Sequence, residues 1–301
     1  MAMRVATFGI SEQMIAAALR TQSAMASQQI QEASGQVSSD FAGYGSSTQQ
    51  ILNLQVSVSR SQSYVDAATA AGNKVEVMYS TVNSVADLLT QFRSLLTGAS
   101  SASSTDATSV TQSAQDMLEQ MASLLNTQYS GSYLFAGGRT TTAPVDLDSA
   151  TNATSPSSPD TSYYQGDGEI ASVRVSDSHS VSYGVTADNN AFEQALRAMN
   201  LVAKNSPLSA DTLTEALTLA TSAVDAVGVL QSGISNSAAS IERASTLQAD
   251  YQSFAETLGT SLTGVDVAAV TASLSTYQAQ LTASYAAIAK VQSLQLASYL
   301  S

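Results

Sequence analysis

ILNLQVSVSRSQSYVDAATAAGNKVEVMYSTVNSVADLLTQFRSLLTG, residues 51–98, decides the fold. Within it Ile51, Leu54, Val58, Val65, Ala68, Val75, Tyr79, Val82, Leu89, Phe92 and Leu96 fall on alternating three- and four-residue steps. Ser61, Gly72 and Ala86 occupy the small gaps. A stripe sustained over residues 42–97 predicts one long helix packed along its length on other helices. At about 1.5 Å per residue such a helix is on the order of 70 Å long, more than a compact globule needs.

The four prolines, Pro144, Pro156, Pro159 and Pro207, leave two proline-free expanses, 1–143 and 208–301, open to long helices. Gly98 is expected to close the first helix, and SSASSTD supplies a polar turn with an N-cap near Ser104 or Thr105. Val110, Ala114, Met117, Met121, Leu124 and Gln128 predict a second helix, antiparallel to the first across that short turn. After Pro207, an N-cap at Ser209 or Asp211 opens another long helix. Its stripe runs through Leu213, Leu217, Ala220, Val224, Val227, Ile234, Ala238 and Ile241 toward Tyr251 and Leu258, and Gly264 breaks it. The last helix, 265–300, lines one face with Val267, Val270, Leu274, Tyr277, Leu281, Ile288 and Val291. Residues 5–33 are its weaker, Gln-rich counterpart, with Val5, Ile10, Met14, Leu19 and Ile30. Helices this thin in apolar content are marginal alone in water. The two termini either pair as an antiparallel coiled coil or wait for a partner.

Between the helical halves the texture changes. GSYLFAGGRTTTAP, residues 131–144, has strand propensity at Tyr133, Leu134 and Phe135 and turn freedom at Gly137 and Gly138. TNATSPSSPD reads as a loop. Ile170, Val173 and Val175 partly alternate with polar residues, Val181, Tyr183 and Val185 repeat the pattern, and DSHS between them suggests a hairpin. NNAFEQALRAMNLVAKN returns to helix.

Only 12% of the residues are charged, and 11 Lys and Arg stand against 24 Asp and Glu, a formal charge of −13. A chain this acidic lacks the basic footprint of nucleic-acid binding, and anionic membrane surfaces are disfavoured for the same reason. With no cysteine, disulfides, thiolate catalysis and cysteine metal sites are excluded. The N-terminal MAMRVATFGISEQ carries Arg4 but no apolar core and no cleavage site, so no cleavable secretory signal is expected. No uninterrupted apolar run is long enough to suggest a membrane span.

Chemistry-bearing constellations are sparse. His179 is the single histidine and sits at the hairpin turn, which leaves neither a catalytic triad nor a histidine zinc site. AGYG at 42–45 lacks the Lys and Ser/Thr of a phosphate loop and reads as a turn. Asp146 and Asp148 lack EF-hand spacing, and Asp167 and Glu169 read as turn residues. Asn152-Ala-Thr154 matches a glycosylation sequon. Tyr163 and Tyr164, the one adjacent tyrosine pair, read as strand residues. The expectation is no enzyme: no catalytic residue, no cofactor and no metal.

Two stretches and the signature segment together resemble the flagellin superfamily. VDVAAVTASLSTYQAQLTASYAAIAKVQSLQLASYL resembles its C-terminal helix at Asp266, Ala268, Leu274, Gln278, Ala283-Ser284-Tyr285 and Leu296…Tyr299-Leu300. EASGQVSSDFAGYGSSTQQILNLQ resembles its N-terminal turn at Ser34-Gly35 and Gly43, although only Asp40 stands where the common pattern has an Asp-Asp pair. GSYLFAGGRTTTAP resembles the signature of the hook-associated type at the hook–filament junction. Tyr133, Phe135, Ala136, Gly137, Arg139, Thr140 and Pro144 match it, at the point where that family leaves its helical domain for a β insert.

The resemblance implies an exported flagellar protein that crosses a type III channel unfolded, without a cleaved signal, and becomes extracellular. Its terminal helices would order on assembly. Implied partners are copies of itself, a neighbouring hook-associated protein and flagellin, with an export chaperone left open, and neither nucleic acid nor membrane insertion. The expected architecture is mainly α, an elongated bundle of long antiparallel helices with terminal coiled-coil helices and a small β insert. Residues 1–40 form an N-terminal assembly helix, 41–135 and 189–262 the two halves of a helical rod, 136–188 the β insert, and 263–301 the C-terminal assembly helix. The expected assembly interface is Val267, Val270, Leu274, Leu281 and Ile288, with Ile10 and Met14 opposite. The alternative is that these residues only join the termini within one chain. The expected function is hook–filament joining. The other readings are a filament-forming flagellin, or a flagellin-like surface adhesin, which would need an aromatic-lined groove.

Overall fold

The computed structural model of the chain describes the backbone at residues 2–101, 107–150 and 154–300, and side chains at 9–100, 107–150 and 154–293. The expected cap at Ser104 or Thr105 and Asn152 of the sequon lie outside these residues. The protein is mainly α. Among the described residues there are six helices, α1 (Ala2–Ser34), α2 (Thr48–Ser101), α3 (Ala107–Leu125), α4 (Asn190–Lys204), α5 (Ala210–Thr263) and α6 (Val267–Leu300), and two small antiparallel sheets. These are β1 (Gln128–Tyr129) with β2 (Ser132–Tyr133), and β3 (Ser172–Arg174) with β4 (Ser180–Ser182). The chain divides into two units, residues 1–59 with 252–301 and residues 60–251.

The unit formed by 60–251 holds the main core. Val75, Val82, Leu89, Phe92 and Leu96 of α2 are buried with Val110, Ala114, Leu118, Met121 and Leu125 of α3. The α2 stripe broadens here. Met78, Val85 and Leu88 are also buried, because α2 meets neighbours on more than one side, whereas Tyr79 turns outward. Gly98 does not end the helix, which runs on to Ser101. α5 runs antiparallel to α2: Ser61 Oγ donates to Gln248 O at 2.8 Å, and Gln231 Nε2 donates to Asn83 Oδ1 at 2.6 Å. Ala216, Ala220, Ala223 and Val227 sit in this core. Small side chains there let helices approach closely. α5 is the one described helix long and apolar enough to cross a membrane by length and composition. Its alanine face, Ala216, Ala220 and Ala223, is packed in the core, and Asp225 is exposed. The N-cap of α5 is Ser209, whose Oγ accepts from Thr212 N at 3.1 Å.

The β3–β4 hairpin forms over the turn that holds His179. Val173, Val175, Val181 and Tyr183 face the core, while Ser172, Arg174, Ser180 and Ser182 face out, the period-two alternation of a half-buried sheet. Ile170 lies beyond the paired residues and is exposed. At the hairpin tip Asp177 accepts from Arg60 Nη1 at 3.0 Å and from Tyr64 OH at 2.8 Å, which ties the tip to α2.

In the other unit α1 packs against α6. Val270, Leu274 and Leu281 are buried in this seam, and Tyr277, Ser284 and Ile288 are half-buried. The facing side of α1 is Ser11, Met14, Ala18, Thr21, Met25 and Gln28, again in three- and four-residue steps. Ile10, Ile15, Leu19 and Ile30, the largest aliphatics on the helix, are exposed instead. α6 opens on Asp266, whose Oδ1 accepts from Ala268 N at 3.0 Å and Ala269 N at 3.2 Å. A 3-10 turn, Phe41–Ser47, precedes α2 and absorbs the AGYG stretch, with Gly45 at φ +54°.

Candidate functional site

Two places carry the residues singled out above, and each belongs to one unit. The first is the corner at 133–144. Tyr133 N donates to Thr140 O at 2.9 Å, closing the segment on itself. Phe135 is fully buried and meets Phe192 of α4 edge-on, ring centroids 5.9 Å apart at 84°. Its carbonyl accepts from Ala187 N at 2.9 Å. Gly137 has φ +68°, and a Cβ there would stand 2.4 Å from the Asp167 carbonyl oxygen, so both backbone and space require glycine. Asp167 Oδ1 accepts from Gly138 N at 2.7 Å and Glu169 N at 3.1 Å. Arg139 Nη1 donates to Gln165 O at 3.0 Å, and Gln165 N donates to Pro144 O at 2.9 Å. The signature residues therefore form a structural corner: a buried ring, an obligatory glycine and a guanidinium fastened to the 163–167 segment, where Tyr163 lies in a turn and Tyr164 makes only an isolated bridge with Val145 rather than a strand. Arg139 is committed to a backbone carbonyl.

Asp167 is the residue that the sequence pattern missed. The amide hydrogen bonds of Gly138 and Glu169 hold its carboxyl below the usual carboxylate range. A carboxyl lowered in the fold stabilises it fully above the unfolded-state value and loses that contribution as pH falls through the folded value. Asp167→Ala is therefore expected to lower the melting temperature at pH 7, with the difference from the parent fading below about pH 3.9. Melting curves across pH 2–7 check this.

The wall beside the corner holds buried charge. Glu193 and Arg197 of α4 pair at 2.9 Å, with side chains 3% and 10% exposed. Glu193 Oε1 also accepts from Asp160 N at 2.9 Å, and Arg197 Nη1 donates to Ser157 Oγ at 3.2 Å. Arg197 Nε lies within ion-pair distance of Glu193 but is not aligned for a hydrogen bond. Glu215 accepts from the hydroxyls of Ser155 and Ser157 and from Ser157 N. Burial works to raise its pKa, but those donors outweigh burial and hold it low. Together the two carboxylates and the guanidinium pin the 155–160 loop. Tyr163 donates from its hydroxyl to Ala187 O, and burial raises its phenol strongly. Burial pushes Tyr164 up to about 12. Both tyrosines are thus packed and bonded, Tyr164 donating from its hydroxyl to Asp167 O at 2.6 Å. A cavity of about 20 Å³ beside Arg197, Asp160 and Asn200 has room for one water. Among the described residues no cluster of three or more His, Asp or Glu side chains is arranged to hold a metal. Asp146 caps a short 3-10 turn through Asp148 N instead.

The second place is the α1–α6 pair. It divides the seven expected interface residues. Val270, Leu274 and Leu281 are covered by α1 of the same chain, Met14 and Ile288 are half-buried, and Ile10 and Val267 are 51% and 47% exposed. Ile15, Leu19 and Ile30, which the period reading did not place on an outer face, line one flank of α1. Their steps of four and eleven residues lie close to whole helical turns.

The chain thus combines a helical core bearing a small β insert with a pair of terminal helices, α1 and α6, that leave apolar side chains exposed. Residues 5–140 match the model of the bacterial flagellin N-terminal helical region. The fold is similar to a structure described as a flagellar hook-associated protein from Vibrio parahaemolyticus. Identity is 16%, the TM-score is 0.60, and 71% of this chain and 96% of that one are covered. Hook associated protein-3 of Legionella pneumophila is more distant, at 15% identity and a TM-score of 0.47, over 71% and 97% of the two chains. So is FlgL of Bacillus cereus, at 14% and 0.46, over 72% and 98%. At these identities the likeness is one of fold, and it rests on the Vibrio structure. In sequence, no curated protein matches the chain.

Proposed function

We propose that the protein is a structural component of the bacterial flagellum that joins the hook to the filament. It would be exported without a cleaved signal and assemble outside the cell through its terminal helices. The observation that carries this reading is that exposed apolar side chains are concentrated on the less charged unit, although Val229 and Leu247 of the other unit are exposed too. The unit of 1–59 and 252–301 holds Ile10, Ile15, Leu19, Ile30, Val267 and Tyr285 exposed. It has only three basic residues (Arg4, Arg20, Lys290) and five acidic ones (Glu12, Glu32, Asp40, Glu256, Asp266), a net of −2. The other unit has eight basic and nineteen acidic residues, a net of −11. Copies that meet through the first unit bury apolar area with little repulsion, while the second unit keeps them apart elsewhere.

In this reading Val270, Leu274 and Leu281 hold α1 to α6, and Ile10 and Val267, with Met14 and Ile288 at the margin, meet the next copy. The end neighbours are a hook-associated protein on one side and flagellin on the other. The signature corner supports the junction type over a filament subunit. The match of residues 5–140 to the flagellin model keeps the filament reading as the second one. Electron microscopy of the purified chain under salting-out conditions, with and without short filament seeds, separates the two. Chains that never elongate alone but decorate filament or hook ends support the junction, and long filaments overturn it.

A further inference from the structure

The seam between α1 and α6 is too featureless on one side to set its own alignment. Val270, Leu274 and Leu281 offer large knobs, but the facing side of α1 is Ser11, Met14, Ala18, Thr21, Met25 and Gln28, small, polar or flexible side chains without a branched aliphatic among them. Sliding α1 by one heptad exchanges Ala18 with Met25 or Ser11 and Met14 with Thr21, and the unbranched methionines can repack to follow it. In coiled coils, register is fixed by distinctive side chains at the seam, and this seam has few. Among the described residues, the contacts that are not tolerant of sliding lie at the base of the pair. Val37 N donates to Thr263 O at 2.9 Å and Val265 N donates to Gly35 O at 3.0 Å. These reciprocal bonds make Gln36 and Gly264 an antiparallel bridge between the turn that leaves α1 and the turn that enters α6. Gln31 Nε2 reinforces it by donating to Val37 O at 2.7 Å, and Thr271 Oγ1 donates to Glu32 Oε1 at 2.7 Å one turn further on. The bridge has a backbone requirement, since Gly35 sits at φ +68°. A Cβ on Gly264 would stand 2.8 Å from Thr260 O.

We propose that the bridge formed by Gly35–Val37 and Thr263–Val265 is a register clamp that sets the alignment of α1 on α6. A slip of one residue would break both backbone bonds at once, whereas a slip along the seam alone would break little. Because the clamp fixes which residues of α1 stand beside Val267 and Tyr285, it positions the outer apolar face. The clamp itself does not depend on the flagellar reading.

The chain has no cysteine, so an introduced pair reacts alone. Glu32→Cys with Thr271→Cys reports the clamped register, and Glu32→Cys with Gln278→Cys reports a slip of one heptad. A short bifunctional thiol reagent is expected to join the first pair and not the second. Adding Gly35→Val, which strains a left-handed backbone position, should cut the first yield about tenfold and raise the second. Adding Gly35→Asn, which tolerates that conformation, should leave the first yield within about twofold of the parent. Melting of the 60–251 unit serves as the folding control. The proposal is overturned if Gly35→Val links like the parent, since the seam then sets register unaided. It is also overturned if Asn fails as badly as Val, or if Val abolishes both links, since the bridge would then keep α1 folded rather than aligned.

Discussion

Phe135→Ala is expected to lower the unfolding free energy of the 60–251 unit by about 3–5 kcal/mol, the range for deleting a fully buried aromatic ring. The ring is completely covered and lies edge-on against Phe192. Its backbone cannot easily follow a collapse into the void. The Phe135 carbonyl is bonded to Ala187 N, and Gly137, two residues on, is held against Asp167. The corner therefore resists the relaxation that would reduce the cost. Urea unfolding followed by circular dichroism measures the loss. Leu134→Ala, at the half-buried neighbour, serves as the comparison and should cost clearly less. A Phe135 effect below about 1 kcal/mol would mean that the signature ring is not part of the cooperative core.

Leu19→Asp combined with Ile30→Asp is expected to abolish assembly while leaving the monomer's stability nearly unchanged. Both side chains are 60% exposed and neither faces α6, so the free chain loses little, within about 0.5 kcal/mol per site. If the next copy covers them, each contributes about 1.5–3 kcal/mol on burial, and a buried unpaired carboxylate costs more. That sum raises the concentration needed for assembly by on the order of a hundredfold or more, at ~1.4 kcal/mol per decade. Sedimentation and end-binding to filament seeds read the loss. A variant that decorates ends like the parent would remove α1's outer flank from the interface.

The long helices were legible because their large apolar residues are many and recur in three- and four-residue steps. Val82, Leu89, Phe92 and Leu96 keep their places for that reason, as do Ala220, Val227, Ile234 and Ile241 on α5. The reading faltered where a helix is packed on several sides or hardly at all. α2 buries Met78 and turns Tyr79 outward because additional neighbours widen its covered face. α1 was phased on its bulkiest residues, yet Ala18 faces α6 and Leu19 faces solvent. A period fitted to size picks the most apolar side, and a helix with outer apolar surface presents two such sides. Gly98 reads as a stop, but a single glycine weakens a helix by only about 1 kcal/mol, and neighbouring Leu96 and Ala99 are anchored in the core.

The signature corner was legible as a turn with an obligatory glycine, but not as a site with a partner. Asp167, which closes it, lies 29 residues beyond Gly138 and reads locally as an ordinary turn aspartate. The Glu193–Arg197 pair was within reach, since its spacing places both on one helical face. The hook of Glu215 onto the 155–157 loop was not, because nothing local to Glu215 distinguishes it from a solvated surface acid.

In the proposed assembly the contacts belong to the terminal helix pair and not to the charged unit. Hydrogen–deuterium exchange, comparing the free chain with the chain bound to filament or hook ends, tests it most directly. New protection is expected to concentrate in residues 9–34 and 267–293, with the exchange of 128–188 unchanged. Protection that appears in 128–188 while the terminal helices exchange as in the free chain would contradict it.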